Sequence, residues 1–194
     1  KVLDAAALEA LESYGRYLDS DGDGIPYRTI PGTHPNKGAF VTRGSSRDEG
    51  ARYTEDGAAY RRNVDRLMRK WNTAKEMMPQ PLFLQKKNRS KYGVIFFGTS
   101  TFAAEEAIEM LSEDGVELDA MRVRSFPFGK AFVDFVEMHE KVFVIEQNRD
   151  AQFKSLMMIE LGTNPAKLVS VLNYDGTPIT ADEILDQIRP NLDS

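Results

Sequence analysis

Cysteine is missing from this sequence altogether. Its absence excludes disulfides, thiolate-held metals, an iron–sulfur cluster carried by this chain and thiol catalysis, and it fits a reducing cytoplasm as the expected location. Histidine is nearly missing too. Only His34 and His139 occur, far apart, and there is no H-E-x-x-H and no G-x-S-x-G. No apolar run approaches membrane-spanning length, and the N-terminus shows no secretory pattern, so no membrane partner is expected. Positive charge is in deficit as well. A net charge of −5 argues against nucleic acid and against anionic membrane surfaces as partners.

What remains is ordinary for a globular protein: 194 residues, 41% hydrophobic and 28% charged, enough for one good-sized domain or a domain with an extended arm. The chain opens without Met on KVLDAAALEALESYG and reads as a piece of something longer. Residues 3–17 suit a helix with Leu8, Leu11 and Tyr14 on one side. Residues 18–46 are dense in Gly, Pro, Asp and Thr and carry no period. With Tyr27, Ile30, Phe40 and Val41 to lie on a surface, they read as an ordered arm. Residues 56–75 suit a long helix. Val64, Leu67, Met68 and Trp71 recur at helical spacing, while Arg61, Arg62, Arg66, Arg69 and Lys70 read as its solvated surface. Pro79 and Pro81 end it and divide the chain into an arm with helices, 1–80, and an α/β domain, 81–194.

The second part alternates strand and helix. Strands are expected at 82–85, 92–97, 118–123, 142–145 and 168–172, and helices at 103–113, 130–139, from 150 and over 180–188. Ala104, Ala107, Ile108 and Leu111 should face inward, and Thr180 with Glu183 has capping-box spacing. The connection at 86–91 reads as a hairpin that makes the first two strands antiparallel. The alternation implies a mostly parallel sheet with helices on both faces, a three-layer α/β/α domain.

The chain is organised around KVFVIEQNRDAQFKSL, 141–156. A buried strand there opens into Glu146, Gln147, Asn148, Arg149 and Asp150 before a helix. That is where open α/β sheets place ligands or partners, although a simple N-cap at Asp150 in a solvated turn explains the same residues. Gly98, Thr99 and Ser100 follow another strand and precede a helix, a weak anion, nucleotide or coenzyme A signal that N-capping by Ser100 or Thr101 also explains. Asp19, Asp21 and Asp23 with Gly24 spell the start of an EF-hand loop. Ile30 stands where the bidentate Glu belongs, which excludes an EF-hand and leaves a weaker Ca2+ or Mg2+ site, or a turn, as readings. A divalent-cation-binding interaction module is therefore one alternative for the whole chain. His139 suits a helix C-terminus, and His34 in the arm stays open as a functional residue. No nucleophile–base–orienter set is visible, so no catalytic residue is assigned.

DGDGIPYRTIPGTHP, KGAFVTRGSSRDEGARYTED, VIFFGTST, VFVIEQNRDAQF and LVSVLNYDGTPIT, in this order, resemble the C-terminal part of the alpha subunit of 2-oxoacid:ferredoxin oxidoreductases, most nearly the 2-oxoglutarate type. The resemblance implies a complex that converts a 2-oxoacid, coenzyme A and oxidised ferredoxin to an acyl-CoA, CO2 and reduced ferredoxin. It implies that this chain supplies a linker and a transketolase C-terminal-like domain with a five-stranded mixed sheet, one strand antiparallel. Thiamine diphosphate, its Mg2+ and the iron–sulfur cluster would lie in a beta subunit and at an N-terminal pyrimidine-binding domain, which become the implied partners along with ferredoxin. The loops Gly98, Thr99, Ser100 and Glu146, Gln147, Asn148, Arg149 match family loops and are expected to face a partner or neighbouring domain. Arg28, Thr29, His34, Thr42 and Arg43 of the arm are expected to wrap a sibling domain. Ala151 stands where the family pattern has Gly, which would strain the loop if a positive φ is needed there.

Overall fold

The computed structural model describes residues 1–84 and 90–192, in two compact units, Lys1–Met77 and Met78–Ser194.

The first unit is an arm lying on a helix. Helix α1, Ala5–Ala10, is N-capped by Asp4, whose carboxylate accepts from the Ala7 N–H at 2.8 Å. It is shorter than the 3–17 expected. Lys37 Nζ donates to the carbonyls of Glu9 (2.8 Å) and Leu11 (3.2 Å), so the arm takes over the groups that a longer helix would have bonded internally. Helix α2, Gly57–Met77, starts at Asp56, which accepts from the Ala58 and Ala59 N–H groups. Its buried residues are Ala59 and Arg66. Tyr60, Val64, Leu67 and Met68 are all exposed, which overturns the expected packing of the apolar face. The arm uses the polar face instead. Arg69 pairs with Asp19, Arg62 with Glu49, Asn63 donates to the Arg47 carbonyl, Arg66 to the Gly24 carbonyl and Thr73 to the Asp23 carbonyl.

Gly24 explains how close the arm comes. Its φ is +80°, and a Cβ there would sit 2.1 Å from the Lys70 nitrogen in α2. Only glycine satisfies both demands.

The second unit carries strands β1 (Leu82–Leu84), β2 (Tyr92–Phe97), β3 (Asp119–Val123), β4 (Lys141–Glu146) and β5 (Leu168–Leu172) in the order β1-β3-β2-β4-β5. β2 to β5 are mutually parallel, and β1 is the one antiparallel strand. It pairs with β3, Leu82 opposite Arg122, and not with β2, so the hairpin expectation is corrected. The connection on which it rested falls largely outside the described residues.

Helices α3 (Thr101–Glu113), α4 (Lys130–Met138), α5 (Gln152–Leu161) and α6 (Ala181–Ile188) cover both faces. Strand alternation divides the core. Val94, Phe96, Phe143, Ile145 and Val171 meet α3 and α6 on one face, where Ala104, Ala107, Ile108 and Leu111 point inward as the spacing implies. Ile95, Met121, Val142 and Val144 meet α4 and α5 on the other. Each such burial is worth about 1.5–3 kcal/mol. The capping box at Thr180 and Glu183 is formed. His139, buried at the C-cap of α4, bonds the Phe135 carbonyl through Nδ1 at 2.7 Å and Asp119 through Nε2 at 3.0 Å. Gly93 makes room for it, since a Cβ there would lie 3.0 Å from the imidazole ring.

Candidate functional site: a closed crevice at the sheet edge

β2 and β4 are neighbours, yet α3 leaves β2 over one face of the sheet and α5 leaves β4 over the other. Such a switch point opens a crevice at the carboxyl ends of the strands. Both motif loops lie there. After β2 the chain makes a 3-10 turn, Gly98–Ser100, with Gly98 at φ +59° and the Thr101 hydroxyl donating to the Gly98 carbonyl at 2.7 Å. Neither Ser100 nor Thr101 caps α3 by its side chain, so the capping explanation of this loop does not hold.

One side chain spans the crevice. Gln147 Nε2 donates to Thr99 Oγ1 at 2.8 Å and to Ser100 Oγ at 3.1 Å, and its Oε1 accepts from the Ile179 N–H at 3.4 Å. Loops following β2, β4 and β5 are thereby tied together.

Glu146 anchors the clip from below. Its carboxylate is fully buried and accepts from Asn148 Nδ2 (2.7 Å) and from the backbone N–H groups of Phe153 (2.8 Å) and Lys154 (3.1 Å). It thus does the work expected of Asp150, satisfying the first amides of α5 with a negative charge at a helix N-terminus. Asn148 Oδ1 accepts from the Asp150 and Gln152 N–H groups. The residue preceding α5 is Ala151, at φ +48°, a left-handed conformation that strains a residue carrying a Cβ. Arg149 and Asp150 pair with each other in solvent at 2.7 Å.

Phe97 and Phe153 pack in a tilted pair with ring centroids 4.8 Å apart, and Phe128 meets Phe153 edge-on at 5.6 Å. Around the rim, two aromatic side chains face solvent: Phe102, 81% exposed, in the first turn of α3, and Tyr174, 65% exposed, after β5. Sequence reasoning passed over both. The signal for Phe102 was present, because the inward set Ala104, Ala107, Ile108 and Leu111 leaves it off the buried face. Chemically, the edge is a rigid polar platform with aromatic knobs. Its hydroxyls and its amide are committed to one another, and it presents no activated nucleophile.

Within the first unit, the arm residues bond to the arm itself. Thr29 Oγ1 donates to the Gly38 carbonyl at 2.6 Å. His34 Nδ1 accepts from the Asn36 and Lys37 N–H groups, and Nε2 faces Glu9 at 2.7 Å, so His34 organises a turn. In the expected cation loop the three aspartates have partners within the chain. Asp19 accepts from the Gly24 N–H and pairs with Arg69, and Lys1 Nζ sits 2.7 Å from Asp21 and 2.6 Å from Asp23. Lys1 holds both of these carboxyls below the usual carboxylate range. Among the described residues, no group of three or more His, Cys, Asp or Glu side chains is placed to hold a metal ion. Among the same residues, no helix is long and apolar enough to cross a membrane.

The strand order with its antiparallel edge strand, the helices on both faces and the switch-point crevice define a three-layer α/β/α domain with a mostly parallel five-stranded sheet. Comparison with known proteins narrows this. No family model matches the chain. The alpha subunit of 2-oxoacid:ferredoxin oxidoreductase 2 from Aeropyrum pernix is 26% identical over 176 residues, which are 89% of this chain and 26% of that subunit. The 2-oxoglutarate:ferredoxin oxidoreductase from Magnetococcus marinus, solved with 2-oxoglutarate, coenzyme A and succinyl-CoA bound, matches with a TM-score of 0.81 and 21% identity over 94% of this chain and 31% of that one. The alpha chain of a probable 2-oxoacid ferredoxin oxidoreductase from Thermoplasma acidophilum reaches a TM-score of only 0.39 at 23% identity over 58% of this chain, too low to bear on the fold. The chain is similar to the alpha subunit of a 2-oxoacid:ferredoxin oxidoreductase, and spans about a quarter of the length of the curated one it matches.

Proposed function

We propose that this chain is the assembly-bearing part of the alpha subunit of a thiamine-diphosphate-dependent 2-oxoacid:ferredoxin oxidoreductase. The observation that carries the assembly role is the crevice at the switch point: Gln147 closes it, and the exposed Phe102 and Tyr174 stand on its rim. A ligand crevice would be left open and lined with uncommitted donors. A rigid edge with aromatic knobs is instead how a docking surface is built. The residues present do not fit the metal or the cluster of the holoenzyme, because cysteine is absent and no acidic or histidine cluster forms among the described residues. Those groups are assigned to the pyrimidine-binding domain and the beta subunit, and no reaction step is derived through them. Gly98, Thr99, Ser100, Glu146, Gln147, Asn148 and Arg149 form the partner-facing loops.

The test is reconstitution. The intact protein, purified anaerobically with its companion subunit, should reduce ferredoxin in the presence of a 2-oxoacid and coenzyme A. No 2-oxoacid-dependent reduction with any acceptor of ferredoxin potential would refute the reading.

A further inference from the structure

The first unit contains a buried cation without a direct ion pair. Arg66 is 7% exposed. One terminal nitrogen donates to the Gly24 carbonyl at 3.1 Å and the guanidinium lies 5.8 Å from the Tyr17 ring, but Nε has no partner. A buried charged donor left unpaired is costly and unusual. Burial pushes the Arg66 guanidinium below its ordinary range; the Asp19 carboxylate opposes this, and neighbouring Arg16 and Arg69 push the same way as burial.

Arg66 lines a cavity of about 160 Å3 together with Arg16, Tyr17, Arg28 and Lys70. Among the described residues no carboxylate pairs with Arg16, Arg28, Arg66 or Lys70. The acids nearby are committed elsewhere: Asp19 to Arg69, Glu49 to Arg62, and Asp21 and Asp23 to Lys1. Four cations without a salt bridge therefore line one hollow in a chain whose net charge is −5. The cavity is well below the roughly 300–1,000 Å3 of pockets that enclose whole small molecules, and suits a phosphoryl-sized group.

We propose that this cavity between the arm and α2 binds a phosphate-type oxyanion, either a free anion or the diphosphate of a nucleotide. The planar guanidiniums of Arg16, Arg28 and Arg66 suit bidentate recognition of phosphoryl oxygens, and Lys70 adds a point charge at the mouth. The anion supplies the direct ion pair that Arg66 lacks and joins the arm (Arg16, Arg28) to the helix (Arg66, Lys70).

Calorimetric titration of the intact protein with pyrophosphate, inorganic phosphate and ADP at fixed ionic strength tests this. Pyrophosphate should bind saturably at one site and weaken as salt rises. Arg28→Ala and Lys70→Ala remove exposed side chains and leave folding intact, and each should weaken binding about tenfold. Arg66→Lys, which keeps the charge and loses the fork, should weaken it as well. ADP binding as tightly as pyrophosphate identifies a nucleotide diphosphate as the source, and exclusion of ADP identifies a free anion. Absence of saturable pyrophosphate binding, or binding unchanged in the Arg28→Ala/Lys70→Ala double variant, would overturn the proposal.

Discussion

The two units of this chain solve the same packing problem in opposite ways. In the sheet domain every side chain from Val142 to Ile145 is removed from solvent, and two apolar clusters hold the helices to the strands. In the arm unit the long helix turns Ala59, Asn63, Arg66 and Thr73 toward the arm and leaves Val64, Leu67 and Met68 in water. One unit is held by area removed from water. The other is held by backbone carbonyls, ion pairs and close glycine contacts, which are directional and fail when geometry fails. The exposed stripe of α2 is the cost of the second solution.

The largest expected effect separates the units most cleanly. Gly24→Ala adds a positive-φ penalty to a Cβ placed 2.1 Å from the Lys70 nitrogen, and should destabilise the arm unit by more than about 3 kcal/mol. Trp71, the sole tryptophan, sits in α2 and reports on this unit, so its fluorescence should show the loss while exchange protection of β2 and β4 persists. Next comes Gln147→Ala. Losing a clip across three loops should cost about 1–2 kcal/mol in denaturant unfolding, with faster amide exchange confined to those loops. Ala151→Gly relieves backbone strain at φ +48° and should stabilise the sheet domain by about 1 kcal/mol.

The smallest effect concerns acid. Lys1 holds the Asp21 and Asp23 carboxyls low, and Arg62 does the same for Glu49. A carboxyl depressed on folding stabilises fully above its unfolded value, about 3.9 for Asp and 4.3 for Glu, and that contribution disappears as pH falls through the folded value. The arm unit should therefore loosen below about pH 4 before the sheet domain does, read as a Trp71 transition preceding the loss of strand signal in circular dichroism.

The contrast also explains what could be read from the sequence. Periodicity and alternation report apolar burial, so β5, the inward face of α3 and the capping box of α6 were legible. Pairing was not: a short strand such as Leu82–Leu84 carries its direction in the chain but not its neighbour, which β3 turned out to be. In the arm unit the same rules pointed to the wrong face of α2, because its contacts run through Arg66 and Asn63 to carbonyl groups that no side-chain pattern encodes. At the site, Glu146 and Gln147 stood out as polar residues ending a buried strand, but their division of labour was not legible: Glu146 caps α5 seven and eight positions on, and Gln147 closes the crevice through loops 32 to 48 positions away.

Docking at the sheet edge is the central claim, and Phe102 tests it most directly. Phe102→Glu, introduced into the intact protein purified with its companions and examined by native mass spectrometry, changes a side chain that is 81% exposed in this chain and so should leave its own thermal unfolding unaltered. The account expects the complex to lose a partner subunit or to dissociate at concentrations where the parent stays assembled. A complex of unchanged mass and unchanged dissociation constant would contradict it.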